Sequence, residues 1–220
     1  MSVIEKGFFY IPVEYDGVEY LANAKEGKVF TKTFFETMMH RIPDAEVVNR
    51  EQFLLGNLKD KKVVHLGCCG PFHLALEEIC TKVWGVDIIS CEKREQKPFT
   101  PKNFLKIDIE KEQIILEEEP DIILAGEIFE HLSNPGLALD NLHKFECPII
   151  ITVPNAFSSL SEPWLKLNIE CINKDHVCYY SYYTMKNLVE RHGYKVTQFF
   201  WYDIYPIVAQ GLIFIIQKKG

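Results

Sequence analysis

No Cys-x-x-Cys pair occurs in this chain, although it carries seven cysteines. Without that spacing a zinc–thiolate site has no framework. No apolar run approaches the ~18 residues of a membrane-spanning helix. The first residues, MSVIEKGFFY, lack the layout of a secretory signal. A basic surplus is missing too, since the formal net charge is −7. Phosphate contacts need clustered Lys and Arg, so the balance argues against nucleic acid as a default partner and leaves room only for local basic patches. There is no internal repeat and no low-complexity tract, which excludes a repeat array.

What is present is an ordinary globular composition, 47% apolar and 25% charged over 220 residues, long enough to bury one sizeable core. The cysteines (Cys68, Cys69, Cys80, Cys91, Cys147, Cys171, Cys178) are odd in number, and several sit inside apolar patterns. Free thiols in a reducing, cytoplasmic setting are the expectation. Phe8–Leu21 alternates around Asp16-Gly17, a hairpin signal, and Pro12 pushes that ribbon toward a sheet edge. Thr31–Ile42 reads as an amphipathic helix ended by Pro43, and Val47–Leu58 as another. Residues 1–60 are expected to be an N-terminal extension of the domain that occupies 61–220.

From Lys61 the pattern alternates strand and helix. The spacing predicts strands over 62–67, 83–88, 104–109, 121–126, 148–154, 194–203 and 211–217, with helices over 71–82, 111–118, 128–145, 158–171 and 183–192. The strands up to Val153 are near-continuous apolar runs, as in parallel strands covered on both faces. The last two should form an antiparallel hairpin. The most informative stretch is Lys61–Asp87: an apolar run, a glycine turn at Gly67–Gly70, a helical pattern, then a second apolar run ending on Asp87. That acid lies about twenty positions after the first glycine, the spacing at which a nucleotide fold meets a ribose hydroxyl.

The ordered set HLGCCGPF (65–72), VWGVDI (83–88), KIDIE (106–110), PDIILAGEIFEHLSNP (120–135), IIITVPN (149–155) and HVCYYSYYTMKNLVERHGY (176–194) resembles the class I S-adenosylmethionine-dependent methyltransferases. The resemblance implies an α/β, Rossmann-like fold with a seven-stranded, mostly parallel sheet, an antiparallel last hairpin and helices on both faces. It implies that the turn from Gly67 through Cys68 to Gly70 meets the methionine part of the cofactor, and that Asp87 accepts both ribose hydroxyls. Asp108 would face the adenine amine, with Ile88 and Ile109 packing the ring. Ala125 and Gly126 would floor the pocket near the sulfonium. Three positions, His65, Cys69 and Pro71, depart from the family pattern. His65 stands where an acid is usual, and Gly67-Cys68-Cys69-Gly70-Pro71 replaces Gly-x-Gly-x-Gly.

GEIFEHL places Glu127, Glu130 and His131 at offsets of three and four, which on a helix share one face. With His176 they make a candidate divalent site. The set looks like the magnesium or manganese site of small-RNA 3′-end 2′-O-methyltransferases. The alternative is a metal-free pocket in which His131, or His176, takes a proton from the methyl acceptor. The segment 155–183 should lie over the active-site face, with Phe157, Trp164, Tyr179 and Tyr180 as pocket or core residues. The expected function is methyl transfer to a hydroxyl or amine of a small metabolite. Metal-assisted RNA 2′-O-methylation and a non-catalytic binding module are the alternatives, and the oligomeric state stays open.

Overall fold

The apolar runs from Lys61 onward become strands of one sheet in the computed structural model, which describes residues 10–15, 18–23, 28–31, 42–90, 99–158, 167–170, 172–203 and 209–220. The chain divides into two compact units, Met1–Pro43 and Asp44–Gly220. The first holds a three-stranded sheet in the order β1 (Tyr10–Tyr15), β2 (Val18–Asn23), β3 (Lys28–Thr31). β1 and β2 pair antiparallel with Tyr15 opposite Val18, the register expected of a two-residue connection. Pro12 lies on an edge strand, where a missing N–H interrupts no ladder. The expected helix over Thr31–Ile42 falls on 32–41, outside the described residues, and Thr31 itself closes β3.

The second unit is built on an eight-stranded sheet. Its strands are β4 (Val47–Val48), β5 (Lys62–Leu66), β6 (Lys82–Asp87), β7 (Phe104–Lys106), β8 (Ile122–Gly126), β9 (Ile149–Pro154), β10 (Tyr194–Tyr202) and β11 (Gly211–Lys218). Their order is β4-β10-β11-β9-β8-β5-β6-β7, with β11 antiparallel to both of its neighbours and the other pairs parallel. The strand beyond the seven expected is β4, whose two residues are too few to leave a periodic signal. The helix expected over Val47–Leu58 therefore starts later, as α1 (Arg50–Leu58), where the Asn49 side chain accepts from the Gln52 N–H at 3.0 Å.

The remaining helices are α2 (Phe72–Ile79), α3 (Pro135–Leu142) and α4 (Tyr182–Arg191). Leu54 and Leu58 of α1 and Leu76 of α2 bury against Val63, Val83 and Leu124 on one face of the sheet. Each such side chain contributes about 1.5–3 kcal/mol. On α4, Tyr182 packs on Phe214 of β11 with ring centroids 5.8 Å apart. The Tyr194 hydroxyl donates to the Leu139 carbonyl of α3 at 3.1 Å.

Two helical expectations fail. Residues 111–118 form no helix. Ile114 is buried while Ile115 is 78% exposed, and Glu117–Glu119 would put three negative charges at a helix carboxyl end, where the dipole disfavours them. The helix over 128–145 is broken. A 3₁₀ turn at Phe129–His131 stops at Leu132, and α3 restarts with Pro135 in its first turn. The helix expected over 158–171 falls largely outside the described residues. The all-thiol expectation also needs correction. Cys80, Cys147 and Cys178 are free thiols, but Cys69 is disulfide-bonded. Spacing along the chain could not reveal that pairing, because it depends on which loops meet in space. Among the described residues no helix is long and apolar enough to cross a membrane.

Candidate active site

Parallel pairing of β5, β6, β7 and β8 aligns their carboxyl ends along one edge of the sheet, where open α/β folds bind ligands. A cavity of about 450 Å³ opens there. Gly67, Asp87, Ile88, Asp108, Ile109, Glu127 and His131 all line it, together with Asn173 and Asp175. Cys68, Gly70, Gly126, Glu130 and His176 are not among its lining residues, and the Cys68 and Cys69 sulfurs lie within 4.8 Å of an Asp87 carboxylate oxygen.

The first glycine is demanded by its backbone. Gly67 has φ +70°, and a Cβ there would come within 3.1 Å of the Ile128 side chain. Its N–H donates to the Val86 carbonyl of β6 at 2.8 Å, and the Gly70 N–H donates to Cys68 O within the turn at 2.8 Å, so both are engaged. Asp87 is 7% exposed, and its Oδ1 accepts from the Ile89 N–H at 3.1 Å. Ile88 stands 57% exposed against the cavity, an apolar surface open to a ligand ring. Asp108 accepts from Lys111 Nζ at 2.7 Å and from the Glu110 N–H at 3.1 Å. The bond to Lys111 holds its carboxyl below the usual range.

The cavity, the strand order and the acid that ends β6 coincide with a sequence profile for a methyltransferase domain that matches residues 36–199. The chain belongs to the class I S-adenosylmethionine-dependent methyltransferases. Solved structures share its fold. The small RNA methyltransferase HEN1 superposes with a TM-score of 0.60 at 16% identity, covering 82% of this chain and 27% of HEN1. This methyltransferase thus spans about a quarter of that protein's length. Magnesium protoporphyrin IX methyltransferase from Synechocystis PCC 6803, with bound S-adenosylhomocysteine, gives 0.54 at 14% identity over 77% of this chain and 80% of that one. The 1,6-didemethyltoxoflavin-N1-methyltransferase of Burkholderia thailandensis gives 0.55 at 14% over 77% and 76%. No curated protein matches the sequence. The residues present fit an S-adenosyl cofactor: the cavity has the volume of a ligand site, and its wall passes Gly67, where a side chain would intrude.

The Glu-x-x-Glu-His cluster is not one helical face. Glu127 precedes the 3₁₀ turn with φ +54°, a value rare outside glycine, while Glu130 and His131 lie within the turn. The three side chains therefore diverge. Glu127 lines the cavity and accepts a hydrogen bond from the Tyr202 hydroxyl. Glu130 points inward, 1% exposed, with neither carboxylate oxygen hydrogen-bonded, and burial pushes its carboxyl up to about 8. His131 lines the cavity, and its Nδ1 lies 3.1 Å from the Asp175 carbonyl. A carbonyl only accepts, so Nδ1 carries the hydrogen and Nε2 keeps a lone pair.

His176 reaches this corner because the Val177 and Cys178 N–H groups both donate to the Glu130 carbonyl, at 2.8 and 3.3 Å. Its ring meets that of His131 edge-on, with centroids 4.6 Å apart. Burial and the facing His131 lower its pKa. Ligand atoms of Glu130, His131 and His176 lie within 4.8 Å of one another, and Glu127 is not part of that group.

Of the aromatic acceptor candidates, Tyr180 is core at 5% exposure, Phe157 is 72% exposed and Tyr179 44%, while Trp164 lies outside the described residues. Sequence reasoning missed Arg50, Thr152 and Tyr202, which gather behind Glu127. Arg50 Nε lies 3.2 Å from Thr152 Oγ1, and its guanidinium sits 5.8 Å over the Tyr202 ring. They come from α1, β9 and β10, and no spacing along the chain links them. Asn173 and Asp175 had a weak signal in their closeness to His176.

Proposed function

We propose that this methyltransferase acts on a hydroxyl or amine of a small metabolite, with His131 as the proton acceptor. The observation that carries this reading is the single cavity whose wall includes both Asp87 and the His131 imidazole. Asp87 holds the ribose hydroxyls and Asp108 the adenine amine, while Ile88 and Ile109 sandwich the ring. Gly67 meets the methionine part, while Cys68, Gly70 and Gly126 shape the backbone behind the wall rather than the wall itself. When bound, the cofactor supplies an electrophilic methyl group. The protein holds the acceptor in a water-poor pocket, and His131 Nε2 takes its proton as the nucleophile forms. His176, edge-on to His131, restricts that ring. Two of the solved neighbours act, by name, on a porphyrin and on a toxoflavin precursor, which supports a small-molecule acceptor.

The acceptor is found by presenting pooled hydroxyl- and amine-bearing metabolites with S-adenosylmethionine and recording S-adenosylhomocysteine release. With the acceptor in hand, His131→Ala should lower kcat by about 10²- to 10⁴-fold, the range of a lost general base, while affinity for S-adenosylhomocysteine stays within about threefold. Unchanged kcat would remove His131 from this role.

A second reading, metal-assisted 2′-O-methylation of RNA, is favoured by the unpartnered Glu130 carboxylate beside two imidazoles. One carboxylate and two imidazoles suit a borderline divalent ion such as manganese, which would supply Lewis-acid activation of a hydroxyl. The donor set is then Glu130, His131 and His176, without Glu127. Metal analysis of the protein purified without chelator tests it. The reading expects bound manganese or magnesium that falls at least tenfold in His176→Ala. Metal-free native protein, after incubation with either ion, removes it.

A further inference from the structure

Glu127 is held in its left-handed conformation by two bonds. Its N–H donates to the Thr152 carbonyl at 2.9 Å, and its carboxylate accepts from Tyr202. Tyr202 is itself fixed. It pairs with Gly211 across the β10–β11 ladder, where a Cβ would fall 1.8 Å from its ring, and Arg50 caps the ring's face. A carboxylate has acceptor positions beyond the one given to Tyr202, and this one borders the cavity.

Its place along the sheet edge decides what it meets. Asp108 follows β7, Asp87 ends β6, Gly67 follows β5 and Glu127 follows β8, on strands adjacent in that order. From β6 to β8 is two strand spacings, about 10 Å, the reach of an extended methionine chain from ribose to its α-nitrogen. Asp87 and Asp108 stand at the nucleoside end. His65, beneath the turn, is neutral and faces His73. Along the strand edge Glu127 lies on the far side of Gly67 from Asp108; Asp175, from a loop, also lines the cavity.

We propose that Glu127 receives the α-ammonium group of the cofactor's methionine moiety and that Tyr202 is the positioning residue that aims its carboxylate. The proposal rests on the assignment of Asp87 to the ribose. Calorimetric titration with S-adenosylhomocysteine and with 5′-methylthioadenosine, which lacks the amino-acid end, separates the two. Glu127→Gln should weaken S-adenosylhomocysteine by about 10- to 100-fold, the loss of one charge-assisted bond, and leave 5′-methylthioadenosine within about twofold. Tyr202→Phe should show the same split at about 3- to 10-fold. Glu127→Gly, which suits the positive φ, repeats the test in a variant with no backbone strain. Equal loss for both ligands, or no loss for S-adenosylhomocysteine, would overturn the proposal. Wild-type protein that binds neither ligand would overturn the ribose assignment beneath it.

Discussion

Asp87→Ala should bind S-adenosylhomocysteine at least about 100-fold more weakly than the wild-type protein, and 5′-methylthioadenosine and adenosine should weaken equally. Two hydroxyls given to one carboxylate make two charge-assisted bonds, and each is worth about 1.5–3 kcal/mol. The loss follows the sugar, so every ribose-bearing ligand reports it, in contrast to the Glu127 variants. Asp87 also accepts from the Ile89 N–H, so the variant's thermal unfolding must be recorded beside its affinity. Asp87→Asn keeps that acceptor and should fall between the two. Affinity within twofold of wild type in a folded Asp87→Ala protein would place the ribose elsewhere and take the cofactor pose with it.

Below pH 6.5, wild-type stability should fall relative to that of His65→Gln by about 1.4 kcal/mol per pH unit, reaching about 3 kcal/mol by pH 4.5. His65 is buried, with its Nδ1 3.1 Å from Nδ1 of His73. One of those nitrogens must donate and the other accept, so the pair is satisfied while at least one ring is neutral. Burial, then His73, then Arg50, bring the His65 pKa down to about 3. In the unfolded chain the ring takes a proton near 6.5, so between 6.5 and 3 the unfolded state binds more protons and stability is lost as pH falls. Burial shifts His73 the same way, against the upward pull of Glu77.

Glu130 works in the opposite sense. Its carboxyl is raised from 4.5 to about 8, so over that window the folded state keeps a proton that the unfolded state has lost, and stability falls as pH rises. Between 4.5 and 6.5 the Glu130 slope opposes that of the buried imidazoles, so the wild-type curve alone does not isolate His65. Urea unfolding of both proteins at stepped pH isolates the imidazole. Parallel curves would mean that His65 is not held neutral by the fold.

The strands were legible because β5, β6, β8 and β9 are buried on both faces, so continuous apolar runs mark them without reference to any neighbour. The turn after β5 was legible because Gly67 must adopt a positive φ, and the position of Asp87 because it closes the apolar run of the next strand. The helices over 111–118 and 128–145 were misread because spacing reports which residues could share a face, not whether the chain is helical there. Pro135 and the run Glu117–Glu119 were the local signals against them.

The sequence by itself determined the strands from β5 to β11, the glycine turn and the acid beyond it, since each follows from local burial pattern and backbone conformation. Tertiary structure alone decided that Glu127 turns to Tyr202 while Glu130 turns inward and His131 faces the cavity. It also decided that His65 pairs with His73 and that Arg50 caps the Tyr202 ring. Those contacts join segments 8 to 152 residues apart, and only the packed sheet brings them within a hydrogen bond or a ring's width.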